Sequence, residues 1–282
     1  MKNCPEWFSY CAKGKDWSAS IILTGCVSMC VLLLCAVTLF VLYRKNMHHF
    51  VHMKQHYKIF TMIIICAILR VPWWLMNTFL YEQNSPPVVA DQMINRICML
   101  ALYLAQSFYV QTWLRVILML RQFRGEYALK LLFLILDSIV TILMLCETVY
   151  AAFDVSTPTG FGIIYELGVY FMACCSLLSC ILYISVGSVF LFKMKKFYCF
   201  CSKTILFFVA VSVILTLSAV SRFYCLFYKH FFNKLMNDED FAIFCYFLPD
   251  FFPIVCILAM QASAYHGEKK KNKDTEGWVT YM

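Results

Sequence analysis

The sequence predicts an all-α protein, a polytopic bundle of seven transmembrane helices, and three observations lead to that class. Hydrophobic residues make up 62% of the 282 residues and charged residues only 14%, whereas soluble domains carry about 25% charged residues. Seven apolar stretches each supply the roughly 20 helical residues that cross a hydrocarbon core about 30 Å thick. Stretches such as 21–43 are apolar on every side, which excludes the alternating strands of a membrane β-barrel.

The predicted spans fill most of the chain and are bounded by polar or basic residues. The first ends before Arg44, the third before Arg121 and the fifth before Lys193. In order, the spans are 18–43, 58–81, 97–120, 130–153, 162–192, 204–228 and 240–265. We predict an extracellular or lumenal segment at 1–17, one transmembrane domain at 18–265 and a basic cytoplasmic tail at 266–282. Because 1–17 is polar and has no signal-peptide core, the first span is expected to act as the signal anchor.

Basic residues alternate from one connection to the next, and this alternation predicts the orientation. They concentrate after spans one, three and five and in the tail: Arg44, Lys45, Lys54, Lys58, Arg121, Arg124, Lys193, Lys195, Lys196, Lys203, Lys269, Lys270, Lys271 and Lys273. Short loops rich in Lys and Arg stay cytoplasmic, so the N-terminus is predicted outside or lumenal and the C-terminus cytoplasmic. The net charge of +8 is thus spread over helix ends, which favours the lipid bilayer as a partner and not nucleic acid.

Several ionisable residues fall within the spans, where each costs about 2.5–3.5 kcal/mol and usually faces the bundle interior. We predict an intramembrane polar network of Arg70, Arg115, Asp137, Glu147, Arg222 and Asp250. Depth along the spans places Arg115 near Asp137, and the long stem of Arg222 can reach Asp250. Two interpretations stay open: the network fixes helix register, or it lines a cavity or forms the lock of a two-state switch.

Two prolines flank Asp250 in the seventh span. Pro249 and Pro253 each remove a backbone hydrogen bond, so we predict a helix kink, which acts as a mechanical hinge or, through its freed carbonyl groups, as a binding site.

Cysteine and histidine are abundant, but neither predicts a metal site. Most of the 16 cysteines lie within spans and are expected to pack as small hydrophobic residues. Cys4, Cys11 and Cys98 are placed on the oxidising side, and the sequence leaves open whether two of them form a disulfide. The histidines at 48, 49, 52 and 56 have no carboxylates nearby, so a solvated or lipid-facing surface is expected. No metal and no cofactor is predicted.

The sequence carries none of the motifs of common enzymes or of the large membrane-protein families. There is no nucleophile elbow, Walker loop or zincin motif, so we expect no enzymatic activity. The topology is that of a G-protein-coupled receptor, but the third span lacks an acidic-Arg-aromatic triplet and the seventh lacks Asn-Pro-x-x-Tyr. Neither the charge rings of a channel nor the internal repeat of a transporter is visible.

Several positions resemble the tobamovirus-multiplication (THH/TOM domain) family of seven-span proteins and its animal lysosomal orphan-receptor-like relatives. The stretch 187–197 is similar to that family's exit from the fifth span, a glycine followed by aromatic and aliphatic residues and then basic residues and Phe. Arg70 and Arg222 fall where the family carries arginine. Residues 250–253 resemble its acidic-x-Leu-Pro element, and 113–115 resemble its Trp-x-Glu with arginine in place of the acid.

The resemblance implies a non-enzymatic, receptor-like scaffold in an endolysosomal or vacuolar membrane that recruits cytosolic partners such as small-GTPase machinery. The contact surface would be the basic residues Lys193, Lys195, Lys196, Lys269, Lys270 and Lys271. One alternative is an orphan or chemosensory receptor at the plasma membrane, coupled to a G protein, with a ligand cavity near Trp73, Glu147 and Arg222. A small-molecule transporter is a second alternative.

Overall fold

The structure is a computed structural model that describes residues 18–46, 53–79, 88–121, 126–154, 163–194, 203–232 and 236–279. All secondary structure in these ranges is helical. The elements are α1 (Ala19–Asn46), α2 (Met53–Phe79), α3 (Val88–Arg121), α4 (Glu126–Asp154), α5 (Ile163–Met194), α6 (Lys203–Phe232), α7 (Asp238–Phe241), a π-helix (Ala242–Phe247) and α8 (Leu248–Val279).

Seven stretches of these helices are long and apolar enough to cross a membrane. They are Ala19–Lys45, Gln55–Met76, Met93–Arg115, Lys130–Val149, Tyr170–Phe192, Ile205–Tyr228 and Glu239–His266. The last of these, the seventh span, contains most of α7, the π-helix and the first part of α8. The predicted all-α class is therefore confirmed, and the fold is that of a multi-pass integral membrane protein.

Consecutive helices pack against one another, and α1 closes the bundle by packing against the seventh span. Helix α3 also contacts α5 and α8. Within the most apolar part of each span, 61% of the α3 residues are buried, against 28% for α1 and for α4. Helix α3 therefore occupies the centre of the bundle, and α1 and α4 present broad apolar faces outward, as lipid contact requires.

Close packing of large side chains fills the interior. Trp113 on α3 lies 4.9 Å from the ring of Tyr109 and 4.6 Å from that of Phe208 on α6. Trp74 on α2 is fully buried, and Gly25 on α1 lies against its indole. Helices in lipid gain little from hydrophobic burial against each other, since lipid tails are as apolar as leucine, so such contacts and small residues determine how closely they approach.

The seventh span departs from regular α-helix before its first proline. The π-helix ends at Phe247, two residues before Pro249, and Pro253 lies inside α8. Its wider turn leaves two carbonyl groups to bond side chains of α6: that of Phe244 accepts a 2.6 Å hydrogen bond from the Ser221 hydroxyl, and that of Cys245 one from Arg222. Irregular helix at membrane depth is tolerated where neighbours satisfy the freed groups in this way.

We expect Gly25→Ala to destabilise the protein and Gly187→Ala to leave its stability nearly unchanged. A Cβ at position 25 would lie 2.6 Å from two carbons of the Trp74 indole, whereas at position 187 the nearest atom, the Ser212 hydroxyl oxygen, is 3.4 Å away. Overpacking typically costs about 1–3 kcal/mol. Thermal unfolding of the two variants in detergent checks this, and equal midpoints would contradict the packing of α1 on α2.

Candidate functional site

Arg70 lies on α2 and is completely buried in the bundle interior. Its Nη1 donates a 2.7 Å hydrogen bond to the side-chain oxygen of Asn95 on α3, and its Nη2 forms an ion pair with Asp250 of α8. The guanidinium carbon lies 4.4 Å from the centre of the Trp73 ring and 5.6 Å from that of Tyr246. Aromatic faces attract a desolvated cation, so the site is shaped to hold Arg70 in its charged form.

Arg222 approaches the same carboxylate from α6. Its Nη2 pairs with Oδ1 of Asp250, and its Nε donates a 3.3 Å hydrogen bond to the carbonyl oxygen of Cys245 in the π-helix. Asp250 is fully buried and gives one oxygen to each arginine. We call Arg70, Asp250 and Arg222 the central triad, and it joins α2, α6 and the seventh span.

The central triad is not electrically balanced, because two guanidinium groups share one carboxylate. Formally, one positive charge is left in a buried environment. Removing one member of a buried ion pair typically costs about 3–5 kcal/mol, since the partner stays buried without compensation, while the intact pair adds little to stability. The triad therefore determines which arrangement of helices is allowed more than it stabilises that arrangement.

A second ion pair joins α3 to α4. Arg96 is 1% exposed and pairs with Glu147, whose side chain is 12% exposed. The sequence interpretation placed Arg96 in a connection outside the membrane, because the apolar run begins at 97. In the structure α3 begins at Val88, so Arg96 lies within this helix and its side chain is buried in the bundle. Glu147 therefore binds Arg96 and not Arg222.

Asp137 on α4 occupies a third polar cluster. It accepts hydrogen bonds from the Ser107 hydroxyl at 2.7 Å and from the Gln111 amide at 3.0 Å, both on α3. Gln55 of α2 extends this cluster, with its amide nitrogen 3.3 Å from the side-chain oxygen of Gln111. Among the described residues no ion pair joins Asp137 to Arg115, because neutral donors one and two turns earlier on α3 already reach the carboxylate.

A further contact between helices lies at what we call the basic end of the bundle. Here Arg44 and Lys45 occupy the last turn of α1, and α2 begins. Nδ1 of His56 lies 2.6 Å from the side-chain oxygen of Gln261 on α8. The hydroxyl of Tyr43 on α1 donates a 2.8 Å hydrogen bond to the Gln261 carbonyl. His56 is therefore half-buried and engaged between helices, and the expectation of a solvated or lipid-facing histidine is wrong for this position.

A cavity of about 40 Å³ opens beside the central triad. It lies between α3, α4, α5, α6 and α8, and its lining includes Tyr103, Gln106, Ser176 and Arg222. The sequence interpretation placed a ligand cavity near Trp73, Glu147 and Arg222, and only Arg222 lines this one. Sites for organic ligands usually measure about 300–1,000 Å³, so this cavity has room only for water or a very small ligand.

Other predicted positions are placed as follows. Cys98 is a fully buried free thiol on α3 that bonds the Cys66 carbonyl oxygen at 3.8 Å, so it does not face the oxidising side. Cys4, Cys11, Lys195, Lys196 and the histidines at 48, 49 and 52 lie outside the described residues. For Lys193, Lys269, Lys270 and Lys271 the helical backbone is described but the side chains are not. Within the described residues, no group of His, Cys, Asp and Glu side chains is arranged to hold a metal ion.

Sequence reasoning missed the polar residues of α3. Asn95, Tyr103, Ser107 and Gln111 are spaced by four or eight residues and therefore follow a polar stripe that winds slowly around the helix. Each is uncharged, and a search restricted to charged groups passes over them. The periodicity of polar residues within an apolar helix is the signal that finds them.

Comparison of the chain with protein-family models, with curated proteins and with solved structures finds no match. The resemblance to the tobamovirus-multiplication family thus stays a prediction from the residues quoted for it.

We expect Asp250→Asn to destabilise the protein more than Arg222→Gln. The first change leaves two buried arginines without a carboxylate, whereas the second leaves the balanced pair of Arg70 and Asp250. The expected loss for Asp250→Asn is about 3–5 kcal/mol, measured by thermal unfolding in detergent, with the exposed Lys45→Gln as control. The double variant should lose less than the sum of the single losses, since the two residues interact; additive losses would contradict the contact.

Proposed function

We propose that this protein is a non-enzymatic, receptor-like scaffold in which the central triad is the lock between two helix arrangements. The observation that carries the proposal is that the single carboxylate of Asp250 pairs with arginines from two different helices, three residues after the π-helix of the seventh span. Receptors and switches need two discrete packings whose equilibrium a bound molecule can shift.

The π-helix supplies a physical route to the second arrangement. A π turn holds one residue more than an α turn, and each residue of an α-helix rotates the chain by about 100°. Conversion of this segment to α-helix would rotate Asp250 away from Arg70 and Arg222. Pro249 and Pro253 keep the helix around Asp250 short of backbone hydrogen bonds, which lowers the cost of such a change.

Helix α8 connects the lock to the basic end. From Asp250 to Gln261 the helix rises about 16 Å at 1.5 Å per residue, and Gln261 is the residue that contacts His56 and Tyr43. A rotation of α8 would therefore break this contact and change the surface at the end of the bundle where Arg44 and Lys45 are exposed.

The basic end is the proposed cytoplasmic face, in keeping with the retention of Lys and Arg in cytoplasmic loops. Its proposed partners are cytosolic proteins such as small-GTPase machinery or a G protein, bound through Lys193, Lys195, Lys196 and Lys269–Lys271. The resemblance described above favours an endolysosomal or vacuolar membrane over the plasma membrane. A receptor for a larger organic ligand, or a transporter, would need a site other than the cavity beside Arg222, which is too small for such a molecule.

Partner recruitment is expected to fall in the double variant Lys195→Gln/Lys196→Gln and to persist in Lys229→Gln/Lys234→Gln, which lies on the proposed opposite face. Surface charges mainly set the association rate and its salt dependence, so the fold should be unaffected. Proximity labelling by an enzyme fused to the C-terminus measures the cytosolic proteins nearby. Equal labelling in both variants would contradict the proposed contact surface.

A C-terminal epitope tag is expected to be reachable from the cytosol in selectively permeabilised cells and to colocalise with lysosomal or vacuolar markers. A tag reached only after the internal membranes are opened would overturn the orientation. A tag that is cytosolic but found at the cell surface would favour the receptor alternative.

A further inference from the structure

The cavity beside the central triad combines an unbalanced positive charge with unused hydrogen-bond donors. Of the three guanidinium nitrogens of Arg222, Nε binds the Cys245 carbonyl and Nη2 binds Asp250. Nη1 has no hydrogen-bond partner among the described residues. Arg222 also lines the cavity, so one guanidinium group of the positively charged triad borders this space.

Two other polar side chains of the lining offer donor groups that have no partner in the described part of the chain. Tyr103 is 7% exposed, lines the cavity, and its hydroxyl has no hydrogen-bond partner in the described structure. Gln106, one turn further along α3, lines it as well, and its side-chain amide makes no hydrogen bond within the same residues. A buried hydroxyl without a partner typically costs about 1–3 kcal/mol, so a bound acceptor at this position would relieve a real deficit.

The chemistry of the lining excludes a cation. No Asp or Glu is among the described residues that line the cavity, and the nearby carboxylate of Asp250 is already shared by two arginines. A cation would therefore meet the positive charge of Arg222 with no carboxylate in the described lining to balance it.

Size restricts the ligand further. A single water needs roughly 10–15 Å³ of this kind of volume, and the cavity offers about 40 Å³. That is enough for a monatomic anion with one or two waters and too little for a sugar acid or a lipid headgroup.

We propose that this cavity is a binding site for a monovalent anion of halide size, held by the Arg222 guanidinium with the Tyr103 hydroxyl and the Gln106 amide as further donors. The anion supplies the negative charge that the central triad lacks. The inference stands on the cavity and its charges alone and holds whether or not the protein is a scaffold.

The test uses the purified full-length protein in detergent, with thermal unfolding followed by tryptophan fluorescence. Sodium chloride and sodium bromide are titrated against sodium gluconate at constant ionic strength, because gluconate is too large for the cavity. A ligand that binds only the folded state adds RT ln(1 + L/Kd) to the free energy of unfolding, where L is the free ligand concentration. The unfolding temperature rises accordingly. The expected result is a rise that follows this dependence with chloride and bromide and no rise with gluconate.

Two tyrosine variants provide a matched comparison. Tyr103→Phe removes a donor from the cavity and is expected to weaken the apparent chloride affinity about tenfold, the usual effect of a lost hydrogen bond to a charged group. Tyr183→Phe removes a hydroxyl that is also buried and without a partner in the described structure but does not line the cavity, and it should keep the wild-type affinity. Arg222→Gln should abolish the difference between chloride and gluconate.

Identical unfolding in chloride and gluconate would mean that the cavity holds water only and would overturn the proposal. A chloride response that survives in Tyr103→Phe with unchanged apparent affinity would place the anion elsewhere and overturn the proposal as well. Should Arg222→Gln fail to fold, the comparison of Tyr103→Phe with Tyr183→Phe decides the matter by itself.

Discussion

Lipid tails compete for apolar helix faces on equal terms, so a membrane bundle is held in one arrangement by close packing and by the few polar contacts inside it. In this protein the decisive contact is the carboxylate of Asp250, shared by Arg70 from α2 and Arg222 from α6. Both arginines are long enough to take many positions, but each buried charge requires compensation. The shared carboxylate therefore fixes the position of the seventh span relative to two other helices at once.

The remaining polar contacts depend on α3, the central helix. Near its start, Asn95 binds Arg70 of the triad and Arg96 pairs with Glu147. About 18 Å further along the helix, at 1.5 Å per residue, Ser107 and Gln111 bind Asp137. The two levels differ in charge. The triad carries an excess of positive charge and borders the cavity through Arg222, while Asp137 receives hydrogen bonds from neutral groups.

Part of the candidate site followed from depth along the spans. The reach of Arg222 toward Asp250 was inferred from the position of each residue and the length of the arginine side chain, and the structure brings these two together with Arg70. The partner of Glu147 was not inferred, because Asp91, Asn95 and Arg96 lower the hydropathy at the start of α3 and make that helix seem shorter than it is. Depth alone also paired Asp137 with Arg115, and this pairing was wrong. Two residues at the same depth can face different neighbours, and Asp137 faces Ser107 and Gln111.

By itself the sequence determined the number of spans, their approximate ends and the set of charged residues that had to be buried, because crossing a membrane imposes length and apolarity on every span. Only the tertiary structure decided which buried charges meet, that α3 lies at the centre, and that Arg222 faces a small cavity with Tyr103 and Gln106. Those facts depend on the rotation of each helix about its own axis. Uniformly apolar helices such as α1 do not encode that rotation in their composition, so packing against neighbouring helices sets it.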